Sequence, residues 1–340
     1  MKHQICLLPR LSGLGGMVSF QAKFIQGLDA RHIPHTFDLS HPANTAVLVI
    51  GGTRQLWQLW RARRRGLRIY QRLNGMNWMH RLEKTPLRLT LKAEMNNLTL
   101  AFIRRYLADG IIYQSGFSQD WWRRVYGPEK SATSVAYNGI DLDQYSPEGE
   151  GVPPEDHYRI LLVEGHLTGA YARGLETAVR LVEALQPMCD RPLELMVVGD
   201  ASQEWMDRFN ARNDLWITWR GILPREEIPA IDRSAHVLFS TDLNAACPNS
   251  VIEALACGLP VLASVTGSLN ELVQDGAGQV VPFGADYWRL EEPQIEPLAK
   301  ACLDILHNNP DYRKNARRRA EAAFSLDRMM AAYLDAMEVA

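Results

Sequence analysis

The sequence lacks the features of a membrane span, a structural metal site and a disulfide-stapled secreted domain. None of its apolar runs reaches the roughly 20 residues that a helix needs to cross a bilayer. The five cysteines form no C-x-x-C pair and no cluster with zinc spacing. The amino-terminal apolar stretch is too short for a signal peptide. Together these absences predict a cytoplasmic protein without structural metal.

Several motifs of nucleotide and metal chemistry are also missing. The pattern G-x-G-x-x-G does not occur, which disfavours a dinucleotide-dependent oxidoreductase. The letters of a D-x-D motif occur only in Asp141-Leu-Asp143, just before a stretch rich in Pro and Gly. No recognised nucleic-acid module is present, so we expect no nucleic-acid partner.

The net charge is close to zero, but the charges are unevenly distributed along the chain. The 340 residues carry a net charge of −2, yet residues 1–150 hold 20 Lys and Arg against 11 Asp and Glu. The rest of the chain is correspondingly acidic. Such a split suggests a basic face that meets an anionic partner.

The order of short apolar runs and helix-length segments predicts two α/β domains. Strands such as 4–8 and 46–50 alternate with helices in the first half, and strands such as 160–164 and 193–198 do so in the second. This alternation is typical of doubly wound parallel sheets. We predict an amino-terminal domain over 1–150 and a second domain over 151–324, with the segment 325–340 packing back on the first.

The segment Asn249–Val261 carries the strongest chemical signal. Asn249 or Ser250 can cap a helix that starts after a parallel strand, and such helix starts bind phosphate. Glu253, predicted in the first turn, could accept hydrogen bonds from ribose hydroxyls. The spacing Ser250-x-x-Glu253 is equally a capping box, and local spacing alone favours that interpretation.

The same segment resembles the donor-binding signature of retaining glycosyltransferases of family 4, which have the GT-B fold. The likeness rests on Glu253-Ala254, Gly258, Pro260 and Val261, and on Tyr137–Pro147, which is similar to the family's domain-closing segment. It implies two Rossmann-like domains that face a central cleft. It also implies that Glu253 binds the donor ribose and that amides near Asn249 and Ser250 meet the diphosphate. The family's first acidic position falls on Ala245, at the donor sugar.

The resemblance extends to further positions. The loop with Gly15 and Gly16 is expected to approach the donor, since glycine lets a backbone come close to a ligand. At the position where the family usually has Lys, Arg173 supplies a cation for the leaving diphosphate, and its guanidinium can bind phosphate oxygens in a bidentate manner. His166 stands where the family usually has Arg, and it is a weaker substitute because its charge depends on pH. The remaining predicted contacts are the nucleobase loop with Gly221 and Leu223, and the acceptor-side residues Arg72 and Asn74.

These residues together predict a retaining glycosyltransferase. It would move a hexose-type sugar from a UDP- or GDP-sugar to a glycan, lipid-linked or small-molecule acceptor, without a metal or other cofactor. Two alternatives stay open: a GT-B protein that binds the nucleotide sugar without transfer, and a nucleotide-sugar epimerase.

A stripe of tryptophan and arginine in the first half has two interpretations. It suits peripheral contact with an anionic membrane at the inner face, or with a lipid-linked phosphate. The alternative is a solvated helix whose tryptophans pack on its own sheet. The same theme recurs in Trp121-Trp122-Arg123-Arg124. The residues of the stripe are Trp57, Trp60, Arg61, Arg63, Arg64 and Arg65.

Overall fold

The computed structural model describes residues 4–13, 15–167, 172–212 and 214–339. The chain forms two compact units. The first runs to Gly139 and includes the segment from Ser325 onward, and the second runs from Ile140 to Phe324.

The first unit is built on a six-stranded parallel sheet with the order β2-β1-β3-β4-β5-β6. Several of its strands are short apolar runs because the sheet is covered on both faces. The strands are β1 (Gln4–Leu8), β2 (His35–Thr36), β3 (Asn44–Ile50), β4 (Arg68–Leu73), β5 (Gly110–Tyr113) and β6 (Ala132–Val135).

Helices cover both faces of this sheet. On one face the core joins α1 to the carboxyl-terminal α12, where Tyr333 packs 5.1 Å from Phe20 and 5.4 Å from Phe24 between ring centroids. On the other face Leu59 of α2 packs with Ile103. The helices are α1 (Gly16–Ala30), α2 (Leu56–Arg64), α3 (Leu87–Phe102), α4 (Gly116–Tyr126) and α12 (Leu326–Ala336), and a π-helical turn over Ile103–Leu107 extends α3.

The second unit repeats the architecture with the strand order β12-β11-β10-β7-β8-β9. Its strands are β7 (Tyr158–Leu167), β8 (Leu193–Ala201), β9 (Trp216–Gly221), β10 (Val237–Ser240), β11 (Val261–Ser264) and β12 (Gly278–Val281). Its helices are α5 (Ala172–Leu185), α6 (Gln203–Asn210), α7 (Ile228–Arg233), α8 (Asn249–Ala256), α9 (Leu269–Leu272), α10 (Ile295–His307) and α11 (Asn309–Ala323).

The units divide at Gly139, whereas the sequence analysis placed the boundary after residue 150. The Pro- and Gly-rich segment has no periodicity, yet its backbone is held by arginines of the second unit. Arg233 donates hydrogen bonds to the carbonyls of Ser146 and Glu150. Arg317 of α11 donates to the carbonyls of Leu142 and Tyr145. These bonds fix residues 140–150 on the second unit.

Helix α4 is capped by Ser115, whose hydroxyl accepts a hydrogen bond from the Ser118 amide. Of the two interpretations of the Trp/Arg theme, packing in the core applies to Trp121 and Trp122, because both side chains are buried. Their aromatic surface belongs to the core of the first unit.

No helix among the described residues is long and apolar enough to cross a membrane.

Arg317 gives a test of how the linking segment is held. Arg317→Ala removes a guanidinium that also bonds the Ala256 carbonyl at 2.8 Å, so it leaves several carbonyls without a donor. We expect the second unit to lose about 2–4 kcal/mol of stability, since stranding part-buried polar groups is costly. The measurement is the midpoint of urea unfolding.

Arg318→Ala is the matched control, because the neighbouring side chain is exposed and makes one long contact of 3.5 Å with the Asp275 carbonyl. Equal midpoints for the two variants would contradict the assigned role of Arg317.

Candidate functional site

The carboxyl edge of the second sheet contains its topological switch point. From β7 the chain adds β8 and β9 on one side and then returns to add β10, β11 and β12 on the other. Adjacent loops after β7 and β10 therefore leave in opposite directions and open a crevice, where open α/β sheets bind ligands. Arg173 lies in the first turn of α5 after β7, and α8 follows β10.

A small cavity of about 60 Å³ lies at this edge. Arg173, Thr241 and Asp242 contribute to its wall, with Ser264 and Thr266 from the end of β11. The Arg173 guanidinium donates to the Leu290 carbonyl at 3.2 Å, which orients the side chain along the wall. The predicted residues Glu253, Asn249, Ser250 and Ala245 lie outside this cavity's lining.

Two carboxyl groups sit together at the switch point, and neither is among the residues predicted from the sequence. Glu164 is near the end of β7, and Asp242 lies two residues after the end of β10. Burial raises the pKa of Asp242 to about 6, against a weaker opposing effect of the Ser240 hydroxyl. Burial and the charge of Asp242 raise the pKa of Glu164 well above its ordinary value. The signal in the sequence for Glu164 was an acidic residue that directly follows the apolar run 160–163.

The loop after β10 is fastened to the loop after β11. The Thr266 hydroxyl donates to the Asp242 carbonyl at 2.6 Å, and the Ser268 amide donates to the Ala245 carbonyl at 2.9 Å. Gly267 permits this approach, since a Cβ there would stand 2.6 Å from the Ala245 oxygen. The backbone of Ala245 is therefore fixed.

Asn244 is the unusual residue of this loop. Its backbone is left-handed, with φ of 56°, and its side chain is 4% exposed. Neither its Oδ1 nor its Nδ2 has a hydrogen-bond partner in the part of the chain that the structure describes. A buried amide without partners is costly, and such groups mark functional positions more often than chance.

Helix α8 begins as predicted after a parallel strand, but two details of the prediction are wrong. Its cap residue is Pro248, and Asn249 is already helical, so neither Asn249 nor Ser250 caps the helix with its side chain. Glu253 is the fifth helical residue and lies beyond the first turn. The capping-box interpretation therefore fails, because Ser250 and Glu253 are both inside the helix.

Glu253 is half-buried in an acidic environment within the second unit. Burial raises the pKa of Asp232 well above its ordinary value, and the charge of Glu253 adds to that rise. Burial also raises the pKa of Tyr145, and the charge of Glu253 adds to that rise. Because Asp232 belongs to α7, Glu253 lies on the side of α8 that is next to α7. Helix α7 follows the loop that contains Gly221 and Leu223.

The other predicted residues of the second unit are placed as follows. Gly221 ends β9 with φ of 66° and is exposed, and Leu223 is half-buried. The backbone of His166 lies in β7 opposite Asp200, and the His166 side chain is outside the described part of the structure.

In the first unit the glycine loop follows β1, at that sheet's own switch point between β1 and β3. Gly15 precedes α1 with φ of 121°, a conformation that favours glycine, and Gly16 is the first helical residue. A Cβ on Gly15 would meet no described atom within 4 Å, so backbone conformation is the reason for glycine here.

Arg72 and Asn74 make structural contacts at the end of β4. Arg72 is 1% exposed, donates to the Asn138 side chain at 2.8 Å and stacks 3.8 Å from the Phe20 ring centroid. The carbonyl of Asn74 accepts from the Trp122 indole at 2.7 Å. The acceptor-side role of both residues stays a prediction, with Asn74 the more accessible of the two.

No cluster of three or more His, Cys, Asp or Glu suited to a metal ion occurs within the described ranges.

The whole fold is that of GT-B glycosyltransferases. Anabaena Alr3699/HepE, solved in complex with UDP-glucose, is similar over 99% of this chain and 100% of its own, with a TM-score of 0.68 and 16% identity. WaaG, a glycosyltransferase involved in lipopolysaccharide biosynthesis, is similar over 98% of this chain and 99% of its own, with a TM-score of 0.67 and 15% identity. The predicted fold class is confirmed.

Residues 159–308 match the family described as Glycosyl transferases group 1. The match lies within the second unit and confirms the resemblance to a glycosyltransferase family that was drawn from the sequence.

Named relatives agree with the family match. D-inositol 3-phosphate glycosyltransferase 2 of Catenulispora acidiphila is 27% identical over 210 residues, which are 57% of this chain and 47% of that protein. A GDP-mannose-dependent alpha-(1-6)-phosphatidylinositol dimannoside mannosyltransferase of Mycobacterium tuberculosis is 24% identical over 233 residues, 66% of this chain and 56% of that protein. The chain spans about half the length of these relatives.

The raised pKa of Asp242 gives a pH-dependent prediction. Its folded pKa of about 6 exceeds its ordinary 3.8, so the native state favours the protonated acid and loses stability as pH rises through this range. Asp242→Asn removes that loss. We expect the variant to gain up to about 2–3 kcal/mol relative to the parent between pH about 4 and 7.

The measurement is the difference in Tm between variant and parent at both pH values. Asp207→Asn, on the exposed surface of α6, is the control and should show a constant difference. A constant difference for Asp242→Asn as well would contradict the raised pKa.

Proposed function

We propose that the protein is a retaining glycosyltransferase that transfers a hexose-type sugar from a nucleoside-diphosphate sugar, UDP- or GDP-linked. The observation that carries the proposal is the position of Arg173 and α8 after neighbouring strands at the switch point of a unit that belongs to a glycosyltransferase family. A cation and a helix start at one crevice suit a diphosphate.

Leaving-group stabilisation is the chemistry that this arrangement supports. The first amides of α8 have no intrahelical acceptor and carry the positive end of the helix dipole. Together with Arg173 they would stabilise the charge that develops on the departing diphosphate. We propose that transfer proceeds on the front face of the sugar, assisted by the leaving group, and that no metal is required. Activity that survives excess EDTA supports the last point.

The acceptor is proposed to be a glycan, a lipid-linked sugar or a small molecule in cell-surface polysaccharide synthesis. The support comes from similar proteins: WaaG is named for lipopolysaccharide biosynthesis, and the mycobacterial relative for a phosphatidylinositol dimannoside. The donor base is left to experiment, since HepE was solved with UDP-glucose and that relative is named for GDP-mannose.

A second candidate is a protein that binds the nucleotide sugar without transferring it. Ala245 favours it, because a methyl group cannot make the sugar contact that the family's acidic residue makes. Release of free sugar from the donor, or its transfer in an acceptor screen, excludes this candidate. Conversion of the sugar without an acceptor would instead indicate an epimerase.

Glu253 is the residue to test for donor binding. We expect one of the UDP-, GDP- or ADP-sugars to raise the Tm of the parent, since a ligand that binds only the folded state stabilises it. Glu253→Ala should abolish that rise through loss of the ribose contact. Glu296→Ala, an exposed acid on α10 paired with Lys300, should keep it. A full rise with Glu253→Ala would contradict the proposed site.

We further propose that Asn244 makes the donor-sugar contact in place of the acidic residue absent at position 245. Its amide offers two N–H donors and an acceptor, and neither atom is engaged within the described chain. Thr266 and Ser268, on either side of Gly267, bond the carbonyls of Asp242 and Ala245. These bonds would hold the Asn244 backbone in place.

Asn244→Gly is the suitable variant, because glycine tolerates φ of 56° without strain. We expect the Tm rise with the free nucleoside diphosphate to persist and the additional rise with the nucleotide sugar to be lost. Asp275→Gly, which replaces another residue of the second unit at φ of 57°, is the control. Loss of both rises would indicate a misfolded loop, and loss of neither would refute the contact.

A further inference from the structure

Helix α3 carries a continuous apolar stripe on its outer side. Leu87, Leu91, Met95, Leu98 and Phe102 are spaced by four, four, three and four residues, which places them on one helical face. All are exposed, from 43% for Phe102 to 73% for Leu87. The stripe runs the length of a helix of about 24 Å, and a contiguous apolar surface of this extent is unusual on a soluble unit.

The inner side of α3 explains why the outer side is left open. Asn97 is the one fully buried residue of the helix, and its side chain bonds the Asn77 amide at 3.0 Å and the Asn77 carbonyl at 2.8 Å. Glu94 bonds His80 and Arg81. These polar contacts hold the inner side of the helix, and the exposed side chains of Leu87, Leu91 and Leu98 play no part in the core.

Helix α2 extends the same surface. Trp57 is 63% exposed and Trp60 39%, and their rings stack at 4.7 Å between centroids. This rules out the interpretation in which both tryptophans pack on their own sheet. Trp60, Phe102 and Tyr106 line one shallow depression, which shows that the aromatic pair and the apolar stripe form a single surface. We call this the α2–α3 face.

The charge around the α2–α3 face is strongly positive. Residues 51–108 contain thirteen Lys and Arg and two Asp and Glu, and of the basic residues Arg72 and Arg104 are buried away from this face. Arg63 is structural, since it bonds Asp109 and the Tyr106 carbonyl and so fastens α2 to the π-helical turn. Arg61, Arg64 and Arg65 are exposed and form no ion pair within the described residues.

We propose that the α2–α3 face binds the surface of an anionic phospholipid membrane. Apolar side chains and tryptophans would enter the interfacial region while the arginines meet lipid phosphates, which is the composition of interfacial helices. Each arginine near an anionic surface adds to the attraction, and the effect decays with salt. A second copy of the chain is the less suitable partner, since two such basic faces repel each other.

The experiment is cosedimentation of the full chain with vesicles of phosphatidylcholine alone and of phosphatidylcholine mixed with phosphatidylglycerol. We expect binding to the mixed vesicles, weakened by added salt, and little binding to the neutral ones. Replacing Arg61, Arg64 and Arg65 by Gln should reduce binding on the order of tenfold or more. Replacing Arg208, Arg289 and Arg318 of the second unit by Gln changes the net charge equally and should leave binding intact.

A second pair of variants tests the apolar part. Leu98→Ser with Phe102→Ser should weaken binding at every salt concentration, whereas Val152→Ser with Met188→Ser, exposed in the second unit, should not. Equal binding to neutral vesicles, or parent-like binding by both α2–α3 variants, would overturn the proposal. So would a dimer in size-exclusion chromatography that Leu98→Ser with Phe102→Ser dissolves, since the face would then join two copies.

These results are independent of donor binding. If vesicle binding fails, the Tm response to nucleotide sugars is unaffected, and if that Tm response fails, vesicle binding is unaffected.

Discussion

The strand order of the second sheet is the constraint on which the candidate site depends. Because β7 lies between β8 and β10, the chain must leave the sheet edge in opposite directions after β7 and after β10. The resulting crevice receives Glu164 and Arg173 from one side and the loop from Asp242 to Pro248 from the other. Residues almost 80 positions apart in the chain meet there only because parallel strands end at one edge.

The chemistry of that edge combines opposite demands. The proposed diphosphate site would require cations and N–H donors, which Arg173 and the start of α8 would provide. Two acids nevertheless stand at the same edge, and burial shifts the pKa of both upward. Protonation would lower the electrostatic cost of placing carboxyl groups beside the proposed diphosphate site. A carboxylic acid that keeps its proton can also donate a hydrogen bond, which an ionised one cannot.

Arginine has three different uses in this chain. In the second unit Arg233 and Arg317 bind backbone carbonyls and hold the segment from Leu142 to Glu150 in place. Arg72 is stacked and hydrogen-bonded inside the first unit. On α2 the side chains of Arg61 and Arg65 extend into solvent. A count of residues treats all of these arginines alike. A basic stretch in a sequence therefore does not show whether its arginines hold the backbone in place or form an exposed binding surface.

Local sequence patterns were sufficient to predict the two α/β sheets, since short apolar runs alternating with helices leave few other folds. They also indicated a likeness to a glycosyltransferase family through Glu253-Ala254 and the Gly258-x-Pro260-Val261 turn. These are local patterns, set by burial and by backbone conformation. Tertiary structure decided where the units divide, because long-range arginine bonds fix residues 140–150. Packing also determines that Trp57 is exposed while Trp122 is buried, and that the side chain of Asn244 has no hydrogen-bond partner among the described residues. Such outcomes depend on what packs across from a residue, which a one-dimensional pattern does not contain.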